Sequence, residues 1–114
     1  MCQDAKLTGA SISGLGQVKN PTLAYFNSDP KAKPTLTTFP GFYELASLNG
    51  NVTVNGDDYY PHAHAVLADK QFHGIAGHVN NAKVGLTVEV TIVPFSGSVE
   101  RTVDPTTGFG PIVH

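Results

Sequence analysis

A run of alternating apolar and polar residues near the end of the chain constrains its fold more than any other feature. Residues 86–93 read Leu-Thr-Val-Glu-Val-Thr-Ile-Val, and Pro94 follows. Because successive side chains of a β-strand point to opposite faces, this period of two predicts a strand with one face in the core. The core face would carry Leu86, Val88, Val90 and Ile92. Proline cannot donate a ladder hydrogen bond, so we expect the strand to end at Pro94.

Short extended segments separated by turn residues continue this pattern along the chain. Asn-Pro at 20–21 and Asn-Gly at 49–50 indicate turns, whereas the glycines within 14–16 indicate a bulged strand. Residues 2–6 read as the tail of a helix. Meander connectivity, in which consecutive strands pair, is the simplest arrangement of the strands. The 114 residues fit a single domain, residues 1–114, which can bury roughly two-thirds of its unfolded surface.

Three histidines form the strongest functional signal. His62 and His64 are two residues apart in an extended segment and therefore share one face of a strand. If residues 69–71 form a three-residue hairpin loop, His78 lies directly opposite His62 on that same face. Directly opposed Cβ atoms are about 5 Å apart, so three imidazoles can converge on one ion at about 2.0–2.1 Å per bond. The sequence therefore predicts a metal site formed by His62, His64 and His78, with an open coordination position.

This prediction depends on an assumed strand register. A slip of one residue would send His78 to the opposite face of the sheet. The alternative interpretation is a pair of histidines on a solvated edge, with the third at a strand end. His73 has the opposite parity and His114 is the last residue, so neither is expected to be a ligand.

Composition limits the classes of partner. The formal charge is −2 and the seven basic residues are dispersed, so autonomous nucleic-acid binding is not indicated. Charged residues make up only 14% of the chain, which leaves surface for contacts between subunits. A single cysteine, Cys2, cannot form an internal disulfide, and no apolar segment has the length of a signal peptide or a membrane span. We therefore expect a cytoplasmic or similarly reducing compartment and no membrane association.

Five motifs follow one another along nearly the whole chain: Gly-Leu-Gly-Gln-Val at 14–18, Gly-Phe-Tyr-Glu-Leu-Ala-Ser-Leu-Asn-Gly-Asn at 41–51, His-Ala-His-Ala-Val-Leu-Ala-Asp at 62–69, Gly-Ile-Ala-Gly-His-Val at 74–79 and Thr-Val-Glu-Val at 87–90. In this order, and with the closing Asp-Pro-Thr-Thr-Gly at 104–108, the chain resembles the plants-and-prokaryotes-conserved (PPC) domain. The resemblance implies an α+β fold, a mostly antiparallel β-sheet with a few short helices. Family members begin with an additional strand and the front of a first helix, and Met1 falls near the middle of that helix. The N-terminal strand is therefore expected to be missing.

The resemblance also implies a homotrimer and a metal site. His62, His64 and His78 match the paired and third histidines of bacterial members one by one. Zinc is the expected ion on ligand type and open geometry, with nickel, iron or copper as substitutes.

Plant members carry AT-hook motifs that bind the DNA minor groove, but this chain has no Arg-Gly-Arg-Pro-like element. Those plant proteins contact partners through a Gly-Arg-Phe-Glu-Ile-Leu patch. Residues 41–46 match that patch, with Phe42 in place of Arg and Ala46 in place of Leu. Possible protein partners at this patch are therefore left open.

Three function classes follow. The first is a trimeric, metal-binding regulatory or partner-binding module. The second is a zinc-dependent enzyme acting on a small molecule, since a three-histidine ion lowers the pKa of bound water. Glu44 and Glu89 are its only candidate acids or bases, and Glu89 has a surface or subunit-interface role as its alternative. The third is a DNA-binding protein, as the family label implies, although a trimer of chains of charge −2 is expected to bind DNA only weakly.

Overall fold

Five strands make up the fold in the computed structural model, which describes residues 7–97 and 99–112. The strands are, in chain order, β1 (Ala10–Tyr25), β2 (Thr35–Thr38), β3 (Phe42–Asn55), β4 (Asp58–Ala68) and β5 (Gly74–Pro94). They pair in the order β2-β1-β3-β4-β5, and β1 also pairs with β5. Every one of these pairings is antiparallel. Because β1 pairs with both β3 and β5, the circuit β1-β3-β4-β5 closes on itself.

The expected antiparallel sheet is confirmed, but the expected short helices are not supported. Residues 7–97 and 99–112 form strands, turns and irregular connections without a helix. The longest connection before β3 carries Pro30 and Pro34, which interrupt helical hydrogen bonding. The predicted helix tail at residues 2–6 lies outside the described residues. Across the described ranges, no helix is long and apolar enough to span a membrane.

Two turn predictions are wrong because paired neighbours carry the strands through the turn signals. β1 continues past Asn20, which has a φ of 50°, with a shift of register against β5. The Asn20 side chain accepts a hydrogen bond from the Gly41 N–H at 2.8 Å, so it anchors the start of β3. The bulge predicted near Gly14 and Gly16 is confirmed in the pairing of β1 with β3.

Gly50 lies in the interior of β3, where the sequence predicts a break. It pairs with Ile12 of β1 on one side and with Ala63 of β4 on the other. A Cβ atom at Gly50 would overlap the carbonyl oxygen of His62 and come within 2.7 Å of the Ala63 Cα. Glycine is therefore needed here for close approach of β3 to β4, and not for a turn.

The core is small. Its buried residues come from three strands of the closed circuit: Val18, Leu23, Leu45, Ala65 and Leu67. The predicted core face of β5 is only partly confirmed, because Val88 packs against this cluster whereas Leu86 is 81% exposed and Val90 is 42% exposed. The extents of 42 × 36 × 18 Å describe a flattened molecule, in which a strand surface can stay open to solvent.

Candidate metal centre

The hairpin between β4 and β5 positions the histidines. Ala68 pairs with Gly74, so the loop contains five residues, 69–73, and not the predicted three. The pairing is therefore displaced by two positions, and His78 lies opposite His64 instead of His62. A displacement of two preserves the side-chain parity of a strand. His78 consequently stays on the face that carries His62 and His64, as predicted.

Hydrogen bonds to Asp69 stabilise the longer loop. The Asp69 carboxylate accepts the backbone N–H groups of Gln71 and His73, each at 2.9 Å. These bonds hold the pKa of Asp69 below its ordinary value, and the bond from the His73 N–H has the largest effect. Phe72 adopts a left-handed φ of 66° in the same loop. The His73 side chain is 79% exposed, and its Nδ1 atom lies 3.6 Å from an Asp69 carboxylate oxygen. His73 belongs to the loop and not to the cluster of His62, His64 and His78.

The three strand histidines form one cluster. The ring centroids of His62 and His64 are 5.2 Å apart, those of His62 and His78 5.1 Å, and those of His64 and His78 5.5 Å. One nitrogen from each ring lies within 4.8 Å of the others. Tetrahedral bonds of 2.0–2.1 Å would place these nitrogens about 3.3 Å apart. Small rotations of half-exposed rings cover that difference, so the donor set fits a divalent transition-metal ion.

Burial and neighbouring charges favour the neutral, metal-binding form of His62 and His78. Burial lowers the pKa of His62, and the positive charges that His78, Arg101 and His64 can carry lower it further. Burial also lowers the pKa of His78, with a smaller effect from His64. Only neutral imidazole has a free lone pair for a metal ion. His62 and His78 therefore remain available as ligands below the ordinary histidine pKa.

The sequence did not indicate the other residues that surround the histidines. The cluster opens into a pocket of about 290 Å³ that is also lined by an aromatic and cationic set, Phe26, Tyr60, Arg101 and Phe109, and by Gly110 and Pro111. The Phe26 ring meets His78 edge-on at 5.0 Å. The segment that supplies Arg101 and Phe109 has no alternating pattern, so no local signal connects it to the site.

Glu44 and Glu89, the predicted candidate acids or bases, lie elsewhere. Glu44 pairs with Ala68 and is exposed, and Glu89 pairs with Leu15 and lines a separate groove beside β1 and β3. Among the described residues that line the histidine pocket, none carries a carboxylate. The arrangement offers metal ligands and a cation, but no acid or base of the predicted kind.

Comparison with known proteins agrees with the predicted resemblance. Residues 1–96 match the sequence profile of the Plants and Prokaryotes Conserved (PCC) domain. Among curated proteins there is no match.

Several solved structures share the fold. A putative DNA-binding protein from Bacteroides thetaiotaomicron is 27% identical, with a TM-score of 0.92 over 98% of this chain and 78% of that one. A plant- and prokaryote-conserved protein from Pyrococcus horikoshii is 27% identical, with a TM-score of 0.88 over 99% of this chain and 78% of that one. A metal-containing protein from Archaeoglobus fulgidus is 26% identical, with a TM-score of 0.87 over 99% of this chain and 79% of that one.

Proposed function

The chain belongs to the Plants and Prokaryotes Conserved domain family, and we propose that it is a trimeric, metal-binding module that acts by regulation or by partner contacts. The observation that carries this proposal is the histidine cluster. One nitrogen of each of His62, His64 and His78 lies within 4.8 Å of the other two.

A divalent transition-metal ion suits this donor set. Three imidazoles leave one tetrahedral position open, as in zinc sites that bind a further ligand. Nickel, iron and copper also accept imidazole nitrogen, so zinc is the first of four candidates. A relative with 26% identity from Archaeoglobus fulgidus is itself a metal-containing protein. When bound, the ion would supply the open position to a fourth ligand.

Exposed apolar residues on β5 support the trimer. Val84 is 62% exposed, Leu86 81% and Val93 56%. Large exposed apolar patches mark interaction surfaces, and a specific interface covers about 800 Å² of each partner. The flattened shape and small core leave these side chains available for a second and third copy of the chain.

DNA binding is the second candidate, favoured by the relative from Bacteroides thetaiotaomicron, which is a putative DNA-binding protein. Charge opposes it, because the chain has a formal charge of −2 and its basic residues are dispersed. DNA affinity depends on neutralising several phosphates at once. The enzyme candidate ranks lower still, since neither Glu44 nor Glu89 lines the histidine pocket.

Metal analysis of untagged protein tests the proposal. We expect about one zinc, nickel, iron or copper ion per chain after dialysis against metal-free buffer, as for a three-histidine site of high affinity. Zinc added back to stripped protein should restore the same stoichiometry. Protein that retains no metal and fails to take up zinc from a micromolar solution would contradict the metal-binding role.

A further inference from the structure

Arg101 is the only arginine of the chain, and it is fixed at the edge of the histidine pocket. Its Nε donates to the Thr53 hydroxyl at 2.9 Å, and one Nη atom donates to the Asn51 side-chain oxygen at 3.0 Å. The other Nη atom donates to the Gly110 carbonyl at 2.8 Å. The guanidinium also lies over the Tyr60 ring, 4.7 Å from its centroid. A side chain held by so many contacts loses little further entropy when it binds a ligand.

These contacts place the guanidinium beside the metal ligands. Asn51 pairs with His62 in the β3–β4 ladder, and Thr53 pairs with Tyr60. Directly opposed residues of an antiparallel pair project to the same face. The acceptors of Arg101 therefore stand on the face that carries the histidine cluster, and Arg101 and the three histidines line one pocket.

The structural contacts of Arg101 do not use all of the hydrogen-bond donors of its guanidinium. A guanidinium has five N–H groups, and described residues accept hydrogen bonds from three of them. Those three bonds tether the segment at residues 99–112 to β3. Within residues 7–97 and 99–112 the two remaining N–H groups have no acceptor, which leaves them to a bound ligand.

The charge of the pocket selects an anion. Neutral imidazoles, a divalent ion and a guanidinium give a net positive site, and the described lining residues include no carboxylate to balance it. In a partly buried pocket an unbalanced positive charge is unfavourable, and a bound anion relieves it. Carboxylates and phosphates both match the fork geometry of arginine, and the carboxylate is the planar and smaller of the two.

The walls of the pocket are aromatic. Phe26 and Phe109 meet edge to face, with their ring centroids 5.7 Å apart, and both are 43% exposed. Tyr60 is 42% exposed on the other side, beneath Arg101. The volume of about 290 Å³ is near the lower end of the range for small-molecule pockets. The ligand should therefore be small and carry an apolar body.

We infer that this pocket binds a small organic acid whose carboxylate lies between Arg101 and the histidine cluster and whose apolar part contacts Phe26 and Phe109. The inference rests on the proposed metal centre, because the ion and the guanidinium act on the same carboxylate. It assigns the open side of that centre to a ligand class, and it makes Arg101 the residue that selects a carboxylate over a neutral compound.

The single arginine provides a direct probe. In a ¹⁵N-labelled sample of the zinc-loaded protein, Arg101 gives the only arginine Nε–H signal. We expect benzoate to shift this signal saturably, whereas benzyl alcohol, of similar shape but uncharged, should leave it unchanged. Acetate should bind more weakly than benzoate, because it cannot contact the phenylalanines.

Variants test the role of the guanidinium through ligand affinity, with zinc content measured on the same samples. Arg101→Gln should weaken benzoate binding at least about tenfold, as expected when charge-assisted hydrogen bonds are lost, and Arg101→Lys should recover part of it. Lys19→Gln is the matched control, since Lys19 is another cation over an aromatic ring, 5.4 Å from the Phe42 centroid, but outside the pocket.

The outcomes separate this inference from the metal centre. Stoichiometric zinc with equal binding of benzoate and benzyl alcohol, or with unchanged benzoate affinity in Arg101→Gln, would overturn the inference and leave the metal centre intact. Absence of zinc uptake would overturn the metal centre first. The comparison of benzoate with benzyl alcohol uses the unchanged chain, so it holds even if Arg101→Gln does not fold.

Discussion

Two histidines of the cluster, His62 and His78, are held toward their neutral form by their surroundings. Burial removes part of the water that would solvate an imidazolium, and this is the largest effect that lowers the pKa of His62 and His78. Neighbouring cations add to it, Arg101 among them for His62. The folded chain thus resists protonation of the groups that a metal ion needs.

This resistance predicts how the stability of metal-free protein depends on pH. Just below the ordinary histidine pKa of 6.5, His62 and His78 are protonated in the unfolded chain but remain largely neutral in the folded chain. The unfolding free energy should therefore fall as the pH drops through 6.5, and level off below the folded pKa values. Urea midpoints measured from about pH 8 to about pH 5 give the slope. The double variant with His62→Gln and His78→Gln should show a smaller slope, and a double variant with the original slope would contradict this assignment.

At the scale of single residues, the sequence predicted which face the histidines share but not which residues oppose each other. Parity depends only on the strand period, and it survives a loop two residues longer than expected, so His78 joins the cluster from a different pairing. Arg101 reaches the site through contacts with residues about fifty positions earlier, such as Asn51 and Thr53. No local pattern encodes contacts of that range.

At the scale of the elements, pairing on both sides of a strand overrides local turn signals. β3 carries Asn-Gly at 49–50, yet it runs unbroken because β1 and β4 pair with it there. β1 likewise passes through Asn-Pro at 20–21 with only a shift of register. Strand existence and parity could therefore be predicted from the sequence, whereas the lengths of these strands depend on their neighbours.

Gly50 tests whether close approach of β3 and β4 supports the site. A Cβ atom there would overlap the His62 carbonyl oxygen, so Gly50→Ala should lower the unfolding free energy by about 1–3 kcal/mol, as overpacking does. It should also weaken metal binding, because it displaces the backbone of His62. Gly74→Ala is the control, since its Cβ would meet nothing nearer than 3.9 Å, and its effect should be within about 0.5 kcal/mol. Equal melting temperatures for the two variants would show that the ladder accommodates the added methyl group.

At the scale of the whole molecule, the chain has more apolar surface than one copy can bury. Its core cluster consists of five buried residues, while β5 leaves Leu86 and Val84 largely exposed. The radius of gyration of 15.2 Å exceeds the roughly 13 Å typical of a compact domain of this length. Assembly would cover the exposed surface without any change of fold.

The trimer prediction comes from the low charge and the family resemblance, and this exposed apolar surface supports it. Light scattering at micromolar concentration should give close to three times the 12.0 kDa mass of the chain. Leu86→Asp should reduce the assembled fraction, because it places a charge on the exposed apolar strand. Phe72→Asp, in the hairpin loop and 89% exposed, should not. A monomer of the unchanged chain at these concentrations would contradict the trimer.

The charge distribution predicts weak interaction with DNA. With a formal charge of −2 and dispersed lysines, the protein should show at most weak association with duplex DNA at low salt, lost at physiological salt. Fluorescence anisotropy of labelled duplexes across a salt series measures this. Sequence-specific binding that persists at physiological salt would favour the DNA-binding candidate instead.

Metal content of matched histidine variants shows whether His62, His64 and His78 together hold a metal ion. Each of His62→Ala, His64→Ala and His78→Ala leaves two protein ligands and should lose most of the metal. His73→Ala should retain the full content, because His73 lies in the hairpin loop outside the cluster. Elemental analysis of untagged, folded proteins should therefore give near-stoichiometric metal for the unchanged chain and His73→Ala alone. Equal metal content in His73→Ala and His78→Ala would contradict the three-histidine centre.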